Sequence, residues 1–185
     1  MNRTTKRASA LAASALALFA IPANAFWGDR VYSVDVDEAY EPIYVSSFAA
    51  TGAPTAIYGT TSDGASAEAI ASAIRLPAFF SPRGISAGPT GERSGPHLVL
   101  VFNPSGATDR KACRGDVTGG SPGADMKVLA VFCSSFNRPV SSAILETDGA
   151  PAANDPDFSK AMSQLLRKVT PPVNPTQGQG VYRRS

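Results

Sequence analysis

The only histidine of the chain limits the nucleophilic chemistry that the sequence can support. A Ser-His-Asp triad needs an imidazole as its general base, and His97 would have to supply it. This residue stands beside Pro96 at the start of an apolar segment, and no metal-binding or catalytic motif surrounds it. The pattern therefore favours a histidine at the end of a strand, and no catalytic residue is predicted. A hydrolase that uses carboxylates or His97 stays the alternative.

Two cysteines, Cys113 and Cys133, are the next residues with chemical potential. Redox pairs are commonly spaced as Cys-X-X-Cys, and structural zinc needs four ligands, so this spacing supports neither. In an exported protein, two cysteines favour one disulfide. Such a bond would close a loop of about 20 residues, which is worth about 3 kcal/mol in the chain-entropy treatment.

Two further patterns resemble ligand sites but lack the necessary residues. The glycine-rich stretch from Gly115 to Gly123 has no Gly-Lys-Ser/Thr ending, and a predicted strand rather than a helix follows it, so it is interpreted as a connecting loop. The acids Asp35, Asp37 and Glu38 offer oxygen ligands for Ca²⁺, but the EF-hand pattern is absent. No cofactor and no metal are predicted, and the acids are expected to lie in a solvated arm.

Positive charge is densest around the first cysteine, at Arg110, Lys111 and Arg114. These cations could contact an anionic envelope component, such as a lipid headgroup or a polyanion. The alternative is a solvated turn that precedes the disulfide.

The N-terminus has the three parts of a secretory signal peptide. Arg3, Lys6 and Arg7 precede an apolar run over 8–21, and Ala23-Asn24-Ala25 follows it. The run is too short to span a membrane, and cleavage is predicted after Ala25. The protein is thus expected to be periplasmic or secreted, with no membrane span.

Charge and apolar content narrow the function further. The net charge of the full chain is +2, but three of its 17 basic residues lie in the signal peptide, so the remainder has one more acidic than basic residue. Nucleic acid is therefore not predicted as a partner. The apolar fraction of 43% is that of a folded globular chain.

The chain is expected to hold one domain over 43–170, between an acidic, aromatic arm over 26–42 and a disordered Pro/Gln/Gly-rich tail over 171–185. The arm is expected to be irregular, and its aromatic residues are candidate partner contacts. These residues are Trp27, Tyr32 and Tyr40.

Hydrophobic patterns predict five strands and two helices within the domain. One helix over 65–76 is expected to be capped by Ser62 or Asp63, and a second begins at Asp155 with Pro156 in its first turn. The predicted strands lie at 43–48, 55–59, 97–102, 126–133 and 140–147. We therefore expect an α+β fold with one mostly antiparallel sheet, two helices packed on one face and one disulfide.

Three segments together carry a resemblance: 98–104, which ends in Asn-Pro before Cys113; the strand ending Val131-Phe132-Cys133; and the helix opened by Asp155-Pro156-Asp157. They resemble an uncharacterised group of short exported proteobacterial proteins. The group has no known activity, so the resemblance implies a bacterial envelope setting and nothing of catalysis. The expected function is a non-catalytic periplasmic binding or envelope-accessory domain, and the expected partner is an envelope protein or an anionic envelope component.

Overall fold

The computed structural model describes residues 28–81, 84–88, 95–121 and 123–177. The predicted signal peptide, its cleavage site and Trp27 lie outside these residues, as does the last part of the predicted tail, 178–185. Among the described residues, no helix is long and apolar enough to cross a membrane.

Six strands and four helices make up the described fold, which is α+β as predicted. The strands are β1 (Arg30–Val36), β2 (Pro54–Tyr58), β3 (Ser86–Ala87), β4 (His97–Phe102), β5 (Lys127–Cys133) and β6 (Pro139–Glu146). The helices are α1 (Pro42–Ala50), α2 (Ala67–Ala73), α3 (Asp109–Arg114) and α4 (Pro156–Val169). The two predicted helices are therefore an undercount.

The strands form one sheet in the order β1-β6-β5-β4-β2-β3. The pairs β1–β6, β6–β5 and β5–β4 are antiparallel, whereas β2 pairs in parallel with both β4 and β3. The prediction of a mostly antiparallel sheet is corrected to a mixed one. Its cause is the connection through α2, which returns the chain so that β4 runs in the direction of β2.

Both faces of the sheet are covered, because β4 is buried along its whole length. Leu98, Leu100 and Phe102 belong to the larger core, which also contains residues of α1, α2 and α4. Val99 and Val101 point to the other face, where they pack with α3. The helices are thus divided between the two faces, and the expectation that they share one face is wrong for α3.

The predicted strand over 43–48 is wrong, since these residues lie in α1. Ile43, Tyr44 and Val45 have high strand propensity, but tertiary packing overrides such preferences. Pro42 occupies the first turn, where its missing N–H costs nothing, and Val45, Phe48 and Ala49 are buried at helical spacing. Phe48 packs edge to face on Phe132 of β5 at 5.4 Å between ring centroids.

The segment predicted as an irregular arm is ordered where the structure describes it. β1 pairs along β6, and Tyr40 is fully buried, with its hydroxyl donating to the carbonyl of Pro171. The amide nitrogen of Asn174 donates to the Tyr40 carbonyl at 2.9 Å. The prediction of disorder is therefore corrected for residues 171–177, which are held by hydrogen bonds to residues 37–40.

α4 confirms its prediction. The Asp155 carboxylate caps the helix by accepting the Asp157 N–H at 2.9 Å, and Pro156 is in the first turn. The cap of α2 is instead Ser66, whose hydroxyl accepts the Ala69 N–H. Asp63 has another role, because it accepts the Thr61 hydroxyl at 2.5 Å.

The glycine-rich connection before β5 is packed rather than loose. A Cβ on Gly119 would lie 2.2 Å from the backbone nitrogen of Gly59, a distance that no side chain tolerates. The Gly120 N–H donates to the carbonyl of Phe102 at 3.0 Å. The glycines therefore allow the loop to cross the ends of β2 and β4 in backbone contact.

Candidate functional site

The disulfide between Cys113 and Cys133 is present, as predicted, and it joins α3 to the end of β5. Both cysteines are buried in the smaller core, and no described cysteine is free. Because the chain turns immediately after Cys133, the bond places α3 beside the β5–β6 turn.

α3 was not predicted, although its sequence contains the signals that form it. The Thr108 hydroxyl accepts the Lys111 N–H at the N-terminus, and Gly115 ends the helix in the left-handed conformation. The Asp109 carboxylate accepts the hydroxyl of Ser142 on β6 at 2.6 Å, which fixes the helix against the sheet. Six residues give too weak a periodic pattern to detect from the sequence.

Arg110 and Arg114 lie one turn apart on α3, and both are exposed. Residues four apart share one side of a helix. The buried side of α3 is formed by Ala112 and Cys113. The packing therefore presents the two arginines together at the surface.

The turn between β5 and β6 lies opposite the two arginines of α3. The Ser134 N–H donates to the carbonyl of Arg138 at 2.8 Å, and Asn137 has a φ of 53°, in the left-handed region that asparagine tolerates. Phe136 stands between them with 85% of its surface exposed. Its N–H donates to the hydroxyl of Ser134, so the backbone of the turn is held without help from the ring.

Between these elements lies a cavity of about 540 Å³, which we call the arginine cavity. Three of its lining side chains are cations and one is a carboxylate. The lining residues are Asp37, Arg110, Arg114, Phe136, Asn137, Arg138 and Pro139. A smaller cavity of about 190 Å³ adjoins it and shares Asp37, Phe136, Arg138 and Pro139.

The cations of the arginine cavity have no ionic partner in the described part of the chain. The one ion pair found there joins Arg30 to Glu146 at 2.9 Å, outside the cavity. Among the described residues, Asp37 is the one carboxylate that lines this cavity, and one of its oxygens accepts the Ala39 N–H at 2.7 Å. The fold therefore leaves three guanidinium groups available to an anion.

Lys111 does not line the arginine cavity with the two arginines with which it was predicted to act. It lines a different cavity of about 420 Å³, together with Ser105, Asp116 and Thr118. Since the helix turns about 100° per residue, a neighbour of Arg110 in sequence faces another direction. Arg138 and Phe136 instead complete the site.

The predicted partner contacts have internal contacts where the structure describes them. Tyr32 lies in β1, with the guanidinium carbon of Arg30 at 5.0 Å and the amine of Lys127 at 5.6 Å from its ring centroid. Its hydroxyl raises the pKa of Lys127 through a hydrogen bond. Tyr40, as noted, is a core residue and is not available as an anchor.

His97 is buried, and its Nδ1 lies 3.1 Å from the carbonyl oxygen of Gly95. The segments 84–88 and 119–123 have the spacing Gly-x-Ser-x-Gly of a nucleophile elbow. Ser86, however, lies in β3, and its hydroxyl donates to the carbonyl of Gly52 at 2.7 Å. One whole strand, β2, separates β3 from β4, so Ser86 and His97 are roughly two strand spacings, about 9.6 Å, apart. This arrangement does not form a nucleophile–base pair.

A second charged cavity, of about 720 Å³, lies beyond the far end of β6, and we call it the acidic cavity. Its charged lining residues are Asp29, Asp148, Asp155, Asp157 and Lys160. Burial, with smaller contributions from Asp157 and Asp148, raises the pKa of Asp29, and Lys160 opposes that shift. Asp155 serves as the cap of α4. In the described residues, no three metal-ligating side chains are grouped so as to hold an ion.

Comparison with known proteins gives no relative. No family model matches the chain, and no curated protein or solved structure is significantly similar to it. The resemblance to short exported proteobacterial proteins therefore stays a prediction.

Proposed function

We propose that this chain is an exported, non-catalytic binding domain whose arginine cavity holds the phosphate or other oxyanion groups of an anionic envelope component. One observation carries the proposal: Arg110, Arg114 and Arg138 share one cavity, and no described carboxylate pairs with any of them. Cations that line one cavity without a carboxylate partner attract an anion, which such a site can bind.

Arginine suits this role better than lysine. Its planar guanidinium donates two parallel hydrogen bonds to one oxyanion and is less strongly hydrated than an ammonium. Two of the cations are held by α3 and the third by a hydrogen-bonded turn, and the disulfide connects these two supports. The backbone of the site is thus in place before a ligand binds, so binding does not have to order it.

Export is supported by two features of different kinds. The N-terminal sequence follows the pattern of a signal peptide. The disulfide is typical of oxidising compartments outside the cytosol. When the full chain is expressed in a Gram-negative host, we expect a mature protein that begins at Phe26, which N-terminal sequencing would check.

The binding test is a titration of the mature chain with soluble polyphosphate, in which calorimetry measures the affinity. Loss of three charge-assisted contacts in R110A/R114A/R138A should weaken binding roughly tenfold or more. K160A/R167A/K168A is the matched control, since it removes three exposed cations of α4 and changes the net charge equally. Equal affinity of the wild-type chain and the arginine variant for polyphosphate, or weakening by the control alone, would overturn the proposal.

A lysine variant sharpens the same test. R110K/R114K/R138K keeps the charge but loses the guanidinium fork, so its affinity should fall between those of the wild-type chain and the alanine variant. Added salt should weaken the binding of polyphosphate to the wild-type chain and to both variants, because the side chains at positions 110, 114 and 138 are exposed to solvent.

A second candidate function, hydrolysis by carboxylates, has one observation in its favour. Asp29 has a raised pKa in the acidic cavity, beside Asp148 and Asp157, and such groups can act as general acids. Hydrolysis of envelope glycan by the wild-type chain, abolished in D29N and retained in D125N, would establish it. No release of product by the wild-type chain would reject it.

A further inference from the structure

We infer that the arginine cavity meets the surface of an anionic bilayer, and that Phe136 enters the layer beneath the phosphate groups. The inference rests on the proposed function and names the source of the anion. It starts from Phe136, which is the most exposed of the large hydrophobic side chains that the structure describes, at 85%.

The position of Phe136 is not a requirement of the turn. The backbone there is held by Ser134, whose hydroxyl accepts the Phe136 N–H and whose carbonyl accepts the Asn137 N–H at 3.1 Å. No described aromatic ring stacks on Phe136. An aromatic ring kept in water without a packing partner is an unfavourable arrangement that an external apolar phase would relieve.

The arrangement of charge around the ring selects the kind of surface. Arg110, Arg114 and Arg138 line the same cavity as Phe136, so three cations and one exposed apolar ring border it together, with Asp37 as the carboxylate on its wall. An anionic bilayer has the complementary arrangement, since its phosphate groups lie above an apolar layer. A soluble polyanion would satisfy the guanidinium groups but would leave the ring in water.

A protein partner fits the site less well. Stable protein interfaces bury roughly 800 Å² of each partner around an apolar centre. In the described part of the chain, Phe136 is the only large apolar side chain that lines the arginine cavity. One exposed ring that borders a cavity with three cations fits contact with a membrane surface better than contact with a protein core.

The test compares two probes and three variants. The probes are vesicles rich in phosphatidylglycerol and soluble polyphosphate, with phosphatidylcholine vesicles as the uncharged reference. F136S should bind the anionic vesicles about tenfold more weakly, since it removes most of one phenyl burial, and should bind polyphosphate unchanged. F79S, which removes another half-exposed phenyl outside the cavity, should bind both probes like the wild-type chain. R110A/R114A/R138A should lose both interactions.

The pattern of results separates the two claims. If F136S and the wild-type chain bind the vesicles equally while the arginine variant fails, the inference is wrong and the proposed function stands. If the wild-type chain binds neither probe, both fail. If polyphosphate binds but anionic vesicles do not, the source is a soluble polyanion and the inference is rejected.

A fluorescence variant reports insertion directly. The chain has one tryptophan, so W27F/F136W places a single indole at the tip of the turn. Its emission should shift to shorter wavelength on anionic vesicles and remain unshifted with polyphosphate. An indole that keeps its aqueous emission on bound vesicles would contradict insertion. Circular dichroism and the unfolding midpoint of each variant show that it is folded.

Discussion

At the Pro139 end of β6 the arginine cavity gathers three cations and one carboxylate, whereas beyond the Glu146 end the acidic cavity gathers four carboxylates and one cation. The strand has eight residues, so its two ends lie about 24 Å apart at 3.4 Å per residue.

The two charged regions differ in what their charges do for the fold. In the acidic cavity, Asp155 caps α4, Asp157 lies in its first turn and Lys160 lowers the pKa of Asp29. In the arginine cavity, no described carboxylate pairs with a guanidinium group. A concentration of charge therefore indicates a ligand only where those charges make no contacts that stabilise the fold.

The largest expected effect comes from the disulfide that holds the arginine cavity together. C113A/C133A should lower the free energy of unfolding by about 3 kcal/mol, because the bond closes a loop of about 20 residues in the unfolded chain. Urea unfolding measures this change. The same variant should bind polyphosphate more weakly, since α3 and the turn are no longer linked. Full affinity in the folded variant would show that the bond does not position the cavity.

At the other cavity, the cap of α4 should give the next largest effect. D155A should lower the free energy of unfolding by about 1 kcal/mol, because the Asp157 N–H loses its acceptor. D155N, which keeps an acceptor oxygen, should be close to the wild-type chain. If D155A unfolds at the same urea concentration as the wild-type chain, the claim that the Asp155 side chain stabilises the fold as a cap is wrong.

The arginines should contribute little to stability. R110A/R114A/R138A should change the free energy of unfolding by no more than about 0.5 kcal/mol, as exposed substitutions without partners usually do. Thermal unfolding without ligand measures it. A large loss of stability would mean that these side chains support the fold, and the contrast between the cavities would disappear.

The smallest effect concerns pH and Asp29. Burial raises its pKa above 3.8, so the folded chain keeps this proton when the unfolded chain has lost it. The contribution of Asp29 to stability should therefore fall as the pH rises from 3.8 through the raised value. Glu146 acts in the opposite direction, since the Arg30 hydrogen bond lowers its pKa and its contribution is lost as the pH falls. Subtracting the unfolding free energy of D29N at each pH isolates Asp29, and a difference that rises with pH would contradict the assignment.

The sequence predicts the centre of this fold better than its edges. Strands β4 and β5 are continuous apolar runs, and α4 has a cap, a proline and a regular stripe, so local and tertiary preferences agree there. The prediction for α1 is wrong because its residues favour a strand, whereas packing requires a helix. The predictions for segments 30–36 and 171–177 are wrong because the order of these segments comes from contacts with distant residues.

Only part of the candidate site could be predicted from the sequence, because some of its residues come together through contacts between distant parts of the chain. Arg110 and Arg114 are close in sequence to a cysteine, and their charge density is visible there. Arg138 and Phe136 join them because the disulfide and the turn bring residue 133 to residue 113, and sequence spacing does not report that approach. The one feature of the local sequence that points to this part of the site is the short turn that follows Cys133 between two apolar strands.

Chemical-shift mapping of the mature chain during a polyphosphate titration would show which of the two cavities holds the anion. We expect backbone amide shifts to concentrate in residues 109–114 and 134–138, and residues 147–157 at the acidic cavity to stay unchanged. Shifts centred on residues 105–107 and 115–118, which line the cavity of Lys111, or spread evenly over all exposed cations, would contradict this expectation.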